Sequence, residues 1–251
     1  MAKYKLVVEY EGTAYHGFQK QAALPTVQEE LEKALAALTG ETIRIHGAGR
    51  TDTGVHAKGQ VVSFVTESAL RARAFVTGLN FYLPDDIAVR SVEVVDASFD
   101  ARHSALSREY RYIVLNAPAR SPLWRRFSYH VEKWLDVEAM STAWRAILGR
   151  RDFAAFASTI GRERRSTVRT IYTASVERRG ELILLDVGAD AFLPHQVRNM
   201  VGTVLLVGRG TSSVDEFVDV LASGDRSRAG PAAPAHGLCL MRVNYGTRDS
   251  E

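Results

Sequence analysis

The stretch Thr42–Val65, TIRIHGAGRTDTGVHAKGQVVSFV, decides how this chain is expected to fold, because it joins two strand patterns through a glycine-rich turn. Apolar and polar residues alternate over 42–47, which predicts a half-buried strand, and residues 60–65 predict the next one. The run 50–58, RTDTGVHAK, connects them as a loop. The turn therefore presents one carboxylate, that of Asp52, between two strands.

The residue two positions before Asp52 is a fixed cation, Arg50. Residues two apart in an extended chain point to the same side, and a nearby guanidinium favours the ionised form of a carboxylate. An ionised and accessible carboxylate is suited to act as a nucleophile, a base or a metal ligand. Aspartate and glycine are also ordinary in turns, and an Arg–Asp pair often only ties a loop down, so the structural interpretation stays open.

The periodicity of the whole chain predicts an α+β fold made of two similar halves. The first half follows the order β-α-β-β-α-β. Its outer strands are predicted over 3–10 and 87–95, its first helix begins after Thr26, and its second helix spans about 69–81. The second half repeats the rhythm, with strands over 109–115, 168–178, 182–189 and 238–245 and helices over 137–148, 195–207 and 213–222. Two such ferredoxin-like (split β-α-β) halves predict antiparallel sheets joined into one extended sheet, with helices on one face and an active-site cleft between the halves.

The predicted boundary divides the chain into residues 1–104, which carry the Asp52 loop, and residues 105–251, which are rich in arginine. The chain has 251 residues with a net charge of +3, but residues 108–179 hold 15 basic and 7 acidic side chains. Arginine binds phosphate bidentately, so this excess suggests nucleic acid, although solvation alone also explains it.

The sequence predicts a cytoplasmic protein. No apolar run is long enough to span a bilayer, no signal-peptide pattern opens the chain, and the single cysteine excludes an internal disulfide.

Three further segments carry residues suited to binding. The helix that begins near residue 195 has Arg198 in its first turn, where a cation opposes the helix dipole unless an anion lies near, so Arg198 is interpreted as an anion ligand. The strand Ser107–Tyr112 places Tyr110 and Tyr112 on one face and an arginine on the other, which suits base stacking as well as an ordinary core. The loop over 10–21 mixes aromatic and donor residues, a composition compatible with contact to a nucleic-acid backbone.

No metal site is predicted. The histidines show no pair at ligand spacing and no carboxylate partners, so no zinc signature exists. A metal-dependent nuclease that uses Asp52 and His56 is kept as a weak alternative.

Four strings together resemble the TruA-type tRNA pseudouridine synthases. They are YEGT with GFQ (residues 10–13 and 17–19), AGRTDTGVHA (48–57), REYRY (108–112) and FLPHQVRN (192–199), and they occur in the order of that family across essentially the whole chain. The resemblance implies an isomerase that converts uridine to pseudouridine at positions 38, 39 and 40 of the tRNA anticodon stem-loop. It also implies a homodimer, with each tRNA contacting both subunits, and no metal or cofactor.

The resemblance also assigns roles to residues. Asp52 is the expected nucleophile, which attacks either C1′ of the ribose or C6 of the uracil. Tyr110 is expected to lie over the flipped base and to help remove the C5 proton, Arg198 to pair with Asp52, and Arg50 to assist flipping or to clamp the displaced strand. Lys20, Phe18 and His56 are predicted to contact RNA, whereas His195 stays outside the predicted catalytic set. A catalytically silent RNA-binding module on the same fold is the main rival.

Overall fold

The computed structural model describes residues 1–158 and 166–246, and the chain divides into two compact units. The first unit comprises Met1–Leu106 together with the C-terminal segment that begins at Leu240, and the second comprises Ser107–Cys239. The chain therefore leaves the first unit once and returns to it at its end. The assignment of catalysis to residues 1–104 and of RNA binding to residues 105–251 stays a prediction.

The first unit follows the predicted order β-α-β-β-α-β. Its elements are β1 (Ala2–Tyr10), α1 (Val27–Thr39), β2 (His46–Gly47), β3 (His56–Thr66), α2 (Ala72–Tyr82) and β4 (Ile87–Val95). Strand β1 pairs antiparallel with both β3 and β4, and β2 pairs with β3. The last strand of the chain, β10 (Leu238–Asn244), lies on the other side of β3.

The second unit mixes strands and helices as predicted. Its elements before β10 are β5 (Ser107–Leu115), β6 (Tyr129–His130), α3 (Val137–Arg145), β7 (Gly149–Asp152), β8 (Val168–Arg179), β9 (Leu182–Ala189), α4 (Gln196–Gly208) and α5 (Val214–Ser223). The antiparallel order is β5-β9-β8-β7, with β6 parallel to β5. The class of the protein, mixed α+β, is confirmed.

Each unit has its own aromatic core. In the first, the rings of Tyr4 and Phe64 stack at 5.5 Å between centroids, and Phe75 of α2 closes the cluster at 4.8 Å from Tyr4. In the second, Trp144 of α3 is fully buried, and its indole N–H donates to the carbonyl of Asp186 at 2.9 Å. The burial of such apolar side chains is the main stabilising contribution to folding in both units.

The predicted strand over 42–47 is wrong for most of its length, since only His46–Gly47 forms a ladder. The alternation itself is present, because Ile43 and Ile45 are buried while Arg44 is exposed. The backbone of Ile45 is satisfied by side chains of α1 instead of a neighbouring strand: its N–H donates to the Glu32 carboxylate at 3.3 Å, and its carbonyl accepts from Gln28 at 3.4 Å. The pattern therefore indicated which side chains face inward but not what pairs with the backbone.

Strand β3 begins four residues earlier than predicted, at His56. His56, Ala57 and Lys58 therefore belong to the strand and not to the Asp52 loop. The short strands β6 and β7 have no counterpart in the prediction. Strand β6 is only two residues long, and β7 (GRRD) is polar and exposed throughout, so its sequence shows no alternation of apolar and polar residues.

Candidate active site

The loop that carries Asp52 connects β2 to β3 and is held at its backbone. The carbonyl of Asp52 accepts from the amide of Val55 at 3.1 Å, which closes a turn. Thr51 is buried, and its hydroxyl shares a 2.8 Å hydrogen bond with the hydroxyl of Tyr10 at the end of β1. Arg50 is exposed and Asp52 is partly exposed, so burial alternates along these three residues. Asp52 is thus partly exposed, while its buried neighbour Thr51 anchors the loop.

The loop that follows β1 braces the Asp52 loop from the other side. The amide of Phe18 donates to the carbonyl of Thr51 at 3.1 Å, and the amide of Gly54 donates to the carbonyl of Tyr15 at 3.3 Å. The amide of Gly12 donates to Nδ1 of His56 at 3.0 Å, which requires the imidazole proton on Nε2. The loop after β1 and the Asp52 loop, which are far apart in the sequence, thus form one hydrogen-bonded assembly.

Two glycines allow these loops to approach so closely. A Cβ on Gly12 would lie 2.0 Å from the carbonyl oxygen of Val55. A Cβ on Gly17, whose φ is +88°, would lie 2.8 Å from the carbonyl oxygen of Thr51. Both distances are shorter than any real side chain tolerates, so glycine is required at both positions for backbone contact.

The residues predicted to contact RNA near this loop differ in exposure. Lys20 is exposed, with its ammonium 3.7 Å from the carboxylate of Glu32. Phe18 is only 3% exposed and packs against Gly47, and His56 is 4% exposed. The structure gives Phe18 and His56 a role inside the loop assembly, and their contact with RNA stays a prediction.

In the second unit, Tyr110 and Tyr112 lie on one side of β5, as the strand period requires. Tyr110 is half-buried, and its ring meets that of Phe192 edge to face at 5.2 Å. Tyr112 is fully buried, and its hydroxyl donates to the carbonyl of Pro234 at 2.8 Å. Burial raises the pKa of Tyr112 far above its usual range. Of the two tyrosines, Tyr110 alone is partly exposed.

The arginine between them, Arg111, is committed to another partner. Its guanidinium makes a bidentate pair with the carboxylate of Asp186 on β9, at 2.7 and 2.8 Å. These hydrogen bonds raise the pKa of Arg111. At this position the basic residue of β5 therefore links β5 to β9.

Arg198 lies in the first turn of α4, as predicted, and is partly exposed. Its Nε donates to the carbonyl of Ala233 at 2.8 Å, and the amide of Ala233 donates back to the carbonyl of Arg198 at 3.0 Å. Gly202, one turn later, permits this approach, because a Cβ there would lie 1.7 Å from the carbonyl oxygen of Pro231. The helix start is thus locked to the loop that precedes β10. His195 precedes the helix in the left-handed region, with φ of 63°.

His236 lies close to Arg198 and was not selected from the sequence. Burial, with a smaller contribution from the positive charge of Arg198, lowers the pKa of His236, while a hydrogen bond with the backbone of Ser128 acts in the opposite direction. A single histidine in a loop offers no spacing signal, so only the folded chain reveals this environment.

Within the described residues, no group of three or more histidine, cysteine, aspartate or glutamate side chains is arranged to hold a metal ion. Over the same residues, none of the helices is long and apolar enough to cross a membrane. The chemically distinctive element of the first unit is therefore a partly exposed carboxylate on a braced loop.

Comparison with known proteins gives matches over almost the whole chain. The family model described as tRNA pseudouridine synthase matches residues 6–104 and 143–246. The tRNA pseudouridine synthase A of Acetivibrio thermocellus is 44% identical over 98% of this chain and 100% of its own length. That of Pelobacter propionicus is 45% identical with the same coverage, and that of Syntrophotalea carbinolica is 43% identical over 99% of this chain and 98% of its own.

A solved structure also aligns. A chain of the archaeal box H/ACA sRNP Nop10–Cbf5 complex matches 91% of this chain and 59% of its own length, at 11% identity with a TM-score of 0.40.

Proposed function

Since the chain belongs to the family of tRNA pseudouridine synthases, we propose that it converts uridine to pseudouridine at positions 38, 39 and 40 of the tRNA anticodon stem-loop. The observation that carries the proposal is the match of the family model to both units, with Asp52 partly exposed on its braced loop. The reaction breaks the C–N glycosidic bond and forms a C–C bond between the same ribose and base. It needs no redox partner.

Asp52 acts as the nucleophile in this proposal, at C1′ of the ribose or at C6 of the uracil. Tyr110 lies over the flipped base and helps remove the proton from C5, Arg198 pairs with Asp52, and Arg50 assists flipping or clamps the displaced strand. Partial exposure of Asp52, Tyr110 and Arg198 supports these roles, because a reacting group must reach the substrate.

Binding of tRNA must offset the cost of removing a uridine from its stack, which is a few kcal/mol by general experience with base flipping. Phosphate contacts from the arginine-rich second unit supply this energy and position the stem by shape. Lys20, which is exposed, contacts RNA directly. We assign Phe18 and His56 a supporting role behind the Asp52 loop, in keeping with their burial.

The proposed assembly is a homodimer in the cytoplasm, in which one tRNA touches both subunits. An exposed apolar turn in the second unit supports a protein contact, since Leu123, Trp124 and Phe127 are 88%, 38% and 40% exposed. We also propose, from the sequence pattern, that the two sheets join into one extended sheet with helices on one face and the RNA in a cleft between the halves.

The decisive experiment replaces Asp52 by asparagine. Asp52→Asn removes the nucleophile with little change in volume, so we expect the variant to fold and bind tRNA but to form no pseudouridine, as measured by mapping positions 38–40 in tRNA. Asp85→Asn is the matched control, because Asp85 is an exposed carboxylate of the same unit. Ordinary product formation by Asp52→Asn would remove Asp52 from its role.

Two alternatives are separated by the same assays. A silent RNA-binding module would bind tRNA without any product in the unmodified protein. A metal-dependent nuclease would shorten the RNA and stop in EDTA, whereas the isomerase is expected to leave RNA length unchanged and to retain activity on an isolated anticodon stem-loop in EDTA.

A further inference from the structure

A depression in the first unit, next to the Asp52 loop, has more positive than negative side chains in its lining. The charged and titratable residues around it are Arg44, His46, Arg50, Asp100, Arg102 and His103. Three arginines therefore face one carboxylate. Of these six residues, only Arg50 has a role in the proposed function.

The backbone explains why Arg44 and His46 reach this depression together. They are two residues apart in an extended segment, so their side chains point to the same side. Ile43, which precedes Arg44, and Ile45, which lies between the two, are buried in the core. The hydrogen bonds from α1 to the backbone of Ile45 hold the segment in place. The side chains of Arg44 and His46 are thus presented on a fixed backbone.

The negative charge in the lining is already committed. The carboxylate of Asp100 accepts from the amides of Arg102 at 2.8 Å and His103 at 2.7 Å, and lies 3.0 Å from Nδ1 of His103. These bonds, the amide of His103 first, lower the pKa of Asp100. Asp100 therefore stabilises its own turn.

Arg44 and Arg50 are in the opposite situation. Both are exposed, and in the part of the chain that the structure describes neither guanidinium has a hydrogen bond or an ion pair. Two guanidinium groups that line the same depression without a protein partner favour the binding of an anion there. A phosphate fits this arrangement, because each guanidinium donates two parallel N–H groups to its oxygens.

We propose that this depression binds one phosphate of the RNA backbone, with Arg44 and Arg50 as its ligands. The inference rests on the proposed function and extends it, because it adds Arg44, which none of the four sequence strings contains. A phosphate held here is contacted by the same loop that carries Asp52. It therefore fixes the RNA backbone relative to the nucleophile.

The test measures tRNA binding as a function of salt in the Asp52→Asn protein, which binds without turnover. Adding Arg44→Gln is expected to weaken binding about tenfold at low salt and to reduce the slope of log K against log salt by about one. Arg44→Lys is expected to keep the slope, because it keeps the charge. Arg73→Gln, on an exposed arginine of α2 outside the depression, should change neither quantity.

A second arm identifies the phosphate. Single methylphosphonate linkages, which are neutral, are placed one at a time along an anticodon stem-loop. At one of these positions the RNA is expected to bind the parent and the Arg44→Gln variant with equal affinity, because the phosphate charge that Arg44 contacts is already absent. An Arg44→Gln slope equal to that of the parent, or an equal loss with Arg73→Gln, overturns the phosphate site. If the unmodified protein makes no pseudouridine but Arg44→Gln still changes the slope, the proposed function fails while the phosphate site stands.

Discussion

At the scale of single residues, the position of Asp52 depends on a hydroxyl pair that takes no part in chemistry. Tyr10 and Thr51 are both buried, and the 2.8 Å bond between their hydroxyls ties the end of β1 to the residue next to Asp52. A buried hydroxyl that loses its partner keeps its full desolvation cost. The pair therefore affects both stability and the placement of the Asp52 carboxylate.

We expect Tyr10→Phe to lower the free energy of unfolding by about 1 kcal/mol and to lower kcat on the order of tenfold to a hundredfold, since small displacements of a reacting group are costly. Tyr4→Phe is the matched control: Tyr4 also lies on β1 and loses one bond, to the carbonyl of Leu70 at 3.1 Å, away from the loop. Denaturant unfolding and single-turnover pseudouridine formation are the measurements. Equal effects of the two variants on kcat would refute a positioning role for Tyr10.

His236 gives the second prediction at this scale, a dependence of stability on pH. Burial lowers its pKa below the ordinary value of 6.5, so the unfolded chain binds this proton more readily than the folded one. The contribution of His236 to the free energy of unfolding is complete above the unfolded pKa, and it is lost as the pH falls from there through the lower pKa of the folded protein. The free energy of unfolding should thus decrease between pH 8 and pH 5.

The variant His236→Asn should show a smaller decrease over that interval, measured by denaturant unfolding at both pH values. His16→Asn, at an exposed histidine of the first unit, serves as the control and should follow the parent protein. An unchanged decrease in His236→Asn would show that another group is responsible.

At the scale of elements, the Asp52 loop is held in place by a second loop that packs onto its backbone. Gly12 is the closest point, where a Cβ would lie 2.0 Å from the carbonyl oxygen of Val55. Backbone cannot yield as a flexible side chain does, so any larger residue at position 12 must separate the loops.

Gly12→Ala is accordingly expected to destabilise the protein by roughly 1–3 kcal/mol and to reduce pseudouridine formation beyond what the stability loss explains. For Gly49→Ala, by contrast, a Cβ meets nothing within 4 Å, so its thermal stability should equal that of the parent. Thermal unfolding of the two variants side by side is the measurement. Equal midpoints would mean that the two loops are not in tight contact.

The limits of sequence reasoning are also clearest at this scale. Helix α1 and strand β1 were predicted correctly because each buries one regular stripe of side chains, which is a local property of the sequence. The partners of the backbone are not local: Ile45 bonds to side chains of α1 instead of a strand, and no pattern within residues 42–47 indicates this. Likewise, Phe18 lies in a loop whose composition is typical of a binding loop, which predicts contact with RNA. Its ring is instead buried, because Gly47 has no side chain and leaves room for it in the interior.

At the scale of the whole molecule, the path of the chain brings an N-terminal and a C-terminal segment together in the first unit. The second unit is inserted between Leu106 and Leu240, and the returning segment completes the first unit. Tyr245 marks this return: its hydroxyl donates to the carbonyl of Ala101 at 2.6 Å, and its ring lies 5.1 Å from that of Phe99 and 4.8 Å from the Lys5 ammonium. The first unit, which carries Asp52, is therefore incomplete until the returning segment has been added.

Removing the Tyr245 side chain tests this coupling. We expect Tyr245→Ala to cost about 1–3 kcal/mol through the lost ring contacts, cation–π interaction and hydrogen bond, and to speed amide hydrogen exchange in β1 while β8 and β9 keep their protection. Tyr245→Phe keeps the ring and should show only the smaller loss of one hydrogen bond. Faster exchange spread equally over β1, β8 and β9 would mean that the two units unfold together, because the returning segment would then not act on the first unit alone.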